Sequence, residues 1–214
     1  MNTKTASARI IAENLLKIGA IRLNPSQPFK WASGWNSPIY CDNRLSLSFP
    51  DTRSLVRDIL AETIRRHFPE VEAIAGVATA GIPQGALVAD QLRLPFLYVR
   101  PKPKGHGLEN LIEGKVTPGQ KVVVVEDLIS TGGSSLKAVA ELKKAGLSPL
   151  GMAAIFTYGF DISYEAFKAA ELPLITLSDY DTLIDVAVGQ GLIDSKDLDS
   201  LKIWRQNPSE WGVV

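Results

Sequence analysis

The sequence predicts an α/β fold: a mostly parallel central sheet with flanking helices and a small N-terminal appendage. Three observations carry that expectation. From Ala73 onward, strand-like and helix-like segments alternate: AIAGVA, GIPQGALVADQL, PFLYVR, KVVVVEDL, GSSLKAVAELKKAG and PLGMAAIFTY. Such alternation builds parallel strands joined by crossover helices. The four valines at 122–125 suit a strand covered on both faces, in the middle of a parallel sheet. Before this region, residues 20–44 are aromatic and turn-rich, a texture suited to a small lobe of short strands.

Taken in order, Ile11, Leu15 and Ile18 fall on one face of a first helix, which Gly19 can end in the left-handed conformation. Strand-like pieces follow at 29–31 and 39–41. Pro50 opens a second helix whose apolar positions, Leu55, Ile59 and Ile64, give way to Pro69. Between Arg100 and Lys121 lies a long segment rich in Pro, Lys and Gly with little periodicity; such connections in compact domains are usually functional lids or disordered. The final part adds the strand PLITLS and helices near 180–188 and 194–203, with Trp204 and Trp211 covering either core or a subunit contact.

At 214 residues, the chain can bury roughly 70% of its unfolded surface in one core, so one domain with an appendage is expected. Lys+Arg 23 balances Asp+Glu 23; no global field favours nucleic acid or an anionic membrane, and neither partner is expected. Cys41 is the one cysteine and there are two histidines, which leaves no internal disulfide and no closed Cys/His zinc site. The opening twenty residues carry Arg9, Glu13 and Lys17, interrupting any apolar span, and a soluble cytoplasmic protein is expected.

Chemistry concentrates at 122–135. Glu126 and Asp127 sit at the carboxyl end of the valine strand, where open α/β sheets bind ligands. The residues after Leu128 and Ile129 are small: Ser130, Thr131, Gly132, Gly133, Ser134 and Ser135. Their backbone N–H groups and the following helix N-terminus make an anion site, with hydroxyl donors beside it. The run therefore suits a ligand that joins a phosphate to a polyol. Neither Gly-x-x-x-x-Gly-Lys-Ser/Thr nor Gly-x-Gly-x-x-Gly is present. A second cluster puts Arg100, Lys102, Lys104 and His106 at a strand end and in the loop beyond it, with Gly105 and Gly107 allowing closure over an anion. A third is the small-residue turn Ala78-Thr79-Ala80-Gly81-Ile82-Pro83, which can bind an anion through backbone N–H groups or serve as a plain helix start.

The strand, Glu-Asp, two apolar residues and Ser-Thr-Gly-Gly-Ser resemble the phosphoribosyl-pyrophosphate (PRPP) loop of type I phosphoribosyltransferases. Arg-x-x-x-Lys-x-His-Gly at 100–107 and Phe29-Lys30-Trp31-Ala32-Ser33-Gly34-Trp35-Asn36-Ser37-Pro38-Ile39-Tyr40-Cys41-Asp42-Asn43-Arg44 resemble, respectively, the catalytic loop and the base-covering hood of the orotate phosphoribosyltransferases. The resemblance implies a type I phosphoribosyltransferase fold in a single domain spanning 1–214, with a hood of about 1–45 and a core of about 46–214. It implies conversion of orotate and PRPP into orotidine 5′-monophosphate and pyrophosphate, in pyrimidine (UMP) biosynthesis.

By the same resemblance, PRPP would be bound by Arg100, Lys104, His106, Glu126, Asp127, Leu128, Ile129, Ser130, Thr131, Gly132, Gly133 and Ser134. Lys104, His106 and Asp127 would be catalytic, and Ser130 and Tyr40 would meet orotate. Mg²⁺ would enter through PRPP and not through protein ligands, and a homodimer would share the 101–118 lid between subunits. Several positions depart from relatives: Ala32 and Pro101 stand where some carry lysine, Thr79-Ala80 where some carry Tyr-Lys, and Tyr158 where some carry an arginine for the base carboxylate. Two other readings stay open: a phosphoribosyltransferase for another base, and a PRPP-sensing regulator that binds nucleic acid.

Overall fold

A computed structural model describes residues 3–31, 34–102 and 111–211. Helix α1 (Thr3–Lys17) buries Ile11, Ala12 and Leu15 and gives way to Gly19 at φ 72°, where a residue without Cβ turns the chain at least cost. The appendage that follows is two small antiparallel ribbons. Strand β1 (Ile21–Leu23) pairs with β4 (Ile39–Cys41), and β2 (Phe29–Lys30) pairs with β3 (Asn36–Ser37). Strands β1 and β3 have no counterpart in the sequence expectation, being too short to show a period of two. A 3₁₀ turn, Asn43–Ser48, leads to α2 (Pro50–His67).

Helix α2 corrects the expected register. Its buried stripe is Thr52, Val56, Leu60, Ala61 and Ile64, spaced by three and four as one helix face requires. Leu55 and Ile59 flank that stripe and are only partly buried. Pro50 starts the helix, and Arg65, Arg66 and His67 occupy its last turn, where positive charge suits the helix dipole.

The core alternates as expected: β5 (Ala73–Val77), α3 (Gly81–Leu92), β6 (Phe96–Val99), β7 (Ile112–Glu113), β8 (Lys121–Ile129), α4 (Gly133–Lys144), β9 (Ser148–Thr157), α5 (Asp161–Ala169), β10 (Leu174–Asp179) and α6 (Tyr180–Gly189). The six strands lie in the order β10-β9-β8-β5-β6-β7. All neighbours are parallel except β6 and the edge strand β7. The C-terminal segment expected as one helix is a 3₁₀ turn, Ser195–Asp197, followed by α7 (Leu198–Gln206).

Strand β8 lies between β5 and β9, which explains its valines. Val123 and Val125 face the side packed by α1, α2 and α3 residues, whereas Val122 and Val124 face the side packed by α4; all four are fully buried. From β5 the chain builds β6 outward on one side, then returns to lay β8, β9 and β10 on the other. The order thus reverses between β5 and β8, and such a switch point opens a crevice at the strands' carboxyl ends. Trp204 is fully buried in an aromatic cluster with Trp31, Tyr158, Phe160 and Tyr180. It covers core, and through Trp31 it seats the appendage on the sheet.

Candidate active site

At that switch point is a cavity of about 260 Å³. Three pieces of chain wall it: the turn at Ala78, Thr79 and Ala80, the strand end at Glu126, Asp127 and Leu128, and the loop at Ser130, Thr131, Gly132 and Ser134. The turn comes this close because α3 has a glycine at its start. A Cβ on Gly81 would run into the Val125 carbonyl of β8. Gly132 lies at φ 81° and precedes α4 without a side-chain cap bond, so among the described residues the cap position leaves the first-turn N–H groups open. A helix start in that condition attracts an anion through its orphan donors and its dipole.

The acids are held tightly. Glu126 is 6% exposed; its Oε1 accepts from the Asp127 N–H over 3.1 Å and its Oε2 from the Ser135 hydroxyl over 3.0 Å. Burial, with the Asp127 charge beside it, pushes the Glu126 carboxyl up to about 8. Burial also raises Asp127, against hydrogen bonds and the Arg44 charge that act the other way. Two neighbouring buried carboxyls resist double ionisation, and a cation or hydroxyl donor beside them would favour the ionised form.

Ser135, expected as a hydroxyl donor beside the anion loop, does border the cavity, but it is buried and gives its hydroxyl to Glu126. Ile129 and Gly133 do not line the cavity. Ile129 turns its side chain into the core, and its carbonyl accepts from the Tyr158 N–H and the Thr157 hydroxyl. The sequence order placed it in the loop, but β8 continues through it.

Arg100 ends near β7, with its Nη1 3.6 Å from Glu113 Oε1, and it does not line the cavity. Lys104, His106, Ala32 and Ser33 lie outside the described residues. Tyr40 sits in the appendage, its ring 5.8 Å from that of Phe29 and 4.9 Å from the Arg22 guanidinium; it is not part of the acid-pair cavity. Tyr158 is buried and packs on Trp31, Phe156, Phe160 and Trp204.

Sequence reading missed the role of Asn43. Its Nδ2 donates to the Asp127 carbonyl over 2.7 Å, across 84 residues of chain, and no local pattern announces that contact. Its neighbour Asp42 accepts two bonds from the Arg44 guanidinium, at 2.6 and 3.0 Å, and a third from the Arg44 N–H, and that guanidinium holds the Asp42 carboxyl below its usual range.

Among the described residues, no three His, Cys, Asp or Glu side chains converge as a metal cluster. The oxygen-rich lining at Glu126 and Asp127 is chemically compatible with a hard cation such as Mg²⁺ carried in on a phosphate-bearing ligand. No described helix is long and apolar enough to cross a membrane.

Comparison with known proteins agrees with this geometry. Residues 49–173 match the family described as phosphoribosyl transferase domain. The chain is 63% identical over 201 residues to the orotate phosphoribosyltransferase of Cytophaga hutchinsonii, covering 94% of this chain and 96% of that protein. It is 58% identical over 200 residues to that of Bacillus subtilis, covering 94% and 93%. Its fold superposes on the crystal structure of orotate phosphoribosyltransferase from Aeropyrum pernix with a TM-score of 0.75 and 30% identity, over 86% of this chain and 99% of that one. With its acid pair and anion loop at the switch point of a mostly parallel sheet, the chain belongs to the phosphoribosyltransferase family and, within it, to the orotate phosphoribosyltransferases.

Proposed function

We propose that the protein transfers ribose 5-phosphate from PRPP to orotate, releasing pyrophosphate and forming orotidine 5′-monophosphate for pyrimidine biosynthesis. The observation that carries this reading is the buried Glu126–Asp127 pair beside the uncapped start of α4, which together suit a ribose joined to a phosphate. A ring nitrogen of orotate displaces pyrophosphate at the anomeric carbon with inversion. Charge builds in opposite senses at the two sides of the breaking bond, so catalysis rests on fixed charges aimed at both.

In this reading Glu126 and Asp127 accept hydrogen bonds from the ribose hydroxyls, and their negative charge favours the developing oxocarbenium ring. The loop from Ser130 to Ser134 holds the 5′-phosphate, with Ser130 also reaching orotate. Arg100, Lys104 and His106 neutralise the departing pyrophosphate; for Arg100 this requires leaving Glu113 as the lid closes. Tyr40 contributes to the base side from the hood, after its ring is freed from Arg22. Bound Mg²⁺ would supply positive charge against the pyrophosphate oxygens. The same reading makes the protein a cytoplasmic homodimer whose lid serves the neighbouring subunit.

Incubation with PRPP and Mg²⁺, following consumption of orotate, uracil, adenine and hypoxanthine in parallel, tests this. Turnover of orotate alone is expected. Turnover of another base would keep the PRPP site and overturn the base assignment; silence on all four would favour a PRPP-binding regulator.

A further inference from the structure

We propose that Asn43 is a positioning residue for this reaction: from the hood, it sets the Asp127 main chain and, through it, the carboxyl pair that meets the ribose. The inference rests on the reading of Glu126 and Asp127 as the ribose-binding acids.

The reason begins in the sheet. Strand β5 pairs with β8 only as far as Gly76 opposite Val125, and the chain then turns away through Ala78 and Thr79. Past that point β8 keeps β9 as its one sheet neighbour. The Asp127 carbonyl takes its hydrogen bond from the side chain of Asn43, which does the work of a missing strand. The Asp127 N–H is taken by Glu126 Oε1. Both backbone polar groups of Asp127 are therefore held, one by the other acid and one by the hood.

Asn43 is itself held in one orientation. A carbonyl only accepts, so the Asn43 amide must present its NH₂ to Asp127, and its Oδ1 receives the Cys41 thiol at 3.4 Å. Burial and the nearby carboxylates of Asp127 and Asp42 push that thiol up, so it stays protonated and able to donate. The main-chain carbonyl of Asn43 accepts from the Ser46 hydroxyl over 2.6 Å, and Ser46 in turn accepts from Gln84 Nε2 over 3.2 Å.

Asn43, Ser46 and Gln84 are all at least 98% buried. Gln84 lies in the first turns of α3, directly after the turn that walls the cavity. A buried polar chain thus joins the start of α3, the hood and the acid pair. Gln84 Oε1 has no hydrogen-bond partner among the described residues. A position needed only for packing would be better served by an apolar side chain, because an unpaired buried acceptor is destabilising.

The test compares the full-length wild type with Asn43→Leu, which keeps volume and removes the donor, and with Ser46→Ala, which removes the link behind it. Calorimetric Kd for PRPP with Mg²⁺, KM for each substrate and Tm are read for all three. Asn43→Leu is expected to weaken PRPP, in Kd and KM, by about tenfold while KM for orotate stays within about twofold. Ser46→Ala should shift the same parameters in the same direction by about threefold, and it carries the test if Asn43→Leu does not fold.

A lowered Tm with an unchanged PRPP Kd in the folded variants, or a rise confined to the orotate KM, would make Asn43 merely structural and overturn the proposal. Wild-type protein that binds no PRPP would overturn the reading of the site, and this proposal with it; wild type that binds PRPP no better than the variants overturns the Asn43 role alone.

Discussion

The Ser135 hydroxyl, in the first turn of α4, donates to Glu126 Oε2 over 3.0 Å. The helix that offers its N-terminus to an anion therefore also steadies one of the two acids. This places the anion loop and the acid pair in one rigid unit, and it sets what should happen when either carboxyl is changed.

Glu126→Gln is expected to lose most turnover and gain stability. The wild-type carboxyl is raised from 4.5 to about 8 in the folded protein, so between these values the folded state holds more protons than the unfolded one. Stability of the ligand-free protein should then fall as pH rises through that window. A neutral amide removes this penalty and can still pair with Ser135, whose hydroxyl can rotate to accept. Thermal unfolding from pH 5 to 9 should show a flatter profile for the variant and, at pH 8, a Tm higher by about 2–6 °C.

Binding of PRPP with Mg²⁺ should release protons near pH 7 and tighten as pH rises toward 8. The ligand favours the ionised acid pair, whereas burial favours the protonated one. Calorimetry in buffers of different ionisation enthalpy measures the release directly, and Asp127→Asn should reduce it along with turnover.

Gly132→Ala should weaken PRPP binding about tenfold or more, since a left-handed residue with a Cβ costs about 1–2 kcal/mol before any clash is counted. The new Cβ would also stand 2.8 Å from Phe167 Cε2, so either the loop or the buried Phe167 ring has to give way. Gly189→Ala in α6 is the contrast, with nothing within 4 Å, and should leave binding unchanged.

Lys104→Ala should cost about 1.5–3 kcal/mol of transition-state stabilisation, the worth of one charge-assisted contact to phosphate. Mixing Lys104→Ala with Asp127→Asn protein tests lid sharing. Activity regained in confirmed heterodimers is the expected outcome, because one of the two mixed sites then carries both an intact lid and an intact acid pair; no gain would mean that each lid serves its own subunit.

Much of this was legible from residues 73–135 alone. Four valines ending in Glu126 and Asp127 define a buried strand with acids at its exit, and small residues from Ser130 onward define a loop that can approach a phosphate. These are properties of neighbours in sequence, governed by periodicity and backbone freedom. The tertiary structure decided the partners. Asn43 reaches Asp127 only because β5 turns away and the 3₁₀ turn of the hood crosses the gap. Arg100 meets Glu113 only because the chain returns as an antiparallel edge. Val56, Leu60 and Ile64, and not the Leu55 and Ile59 face, are buried in α2 because the sheet lies on that side. Hydrogen-bond partners and buried faces depend on where distant segments cross, and a one-dimensional pattern does not contain that crossing.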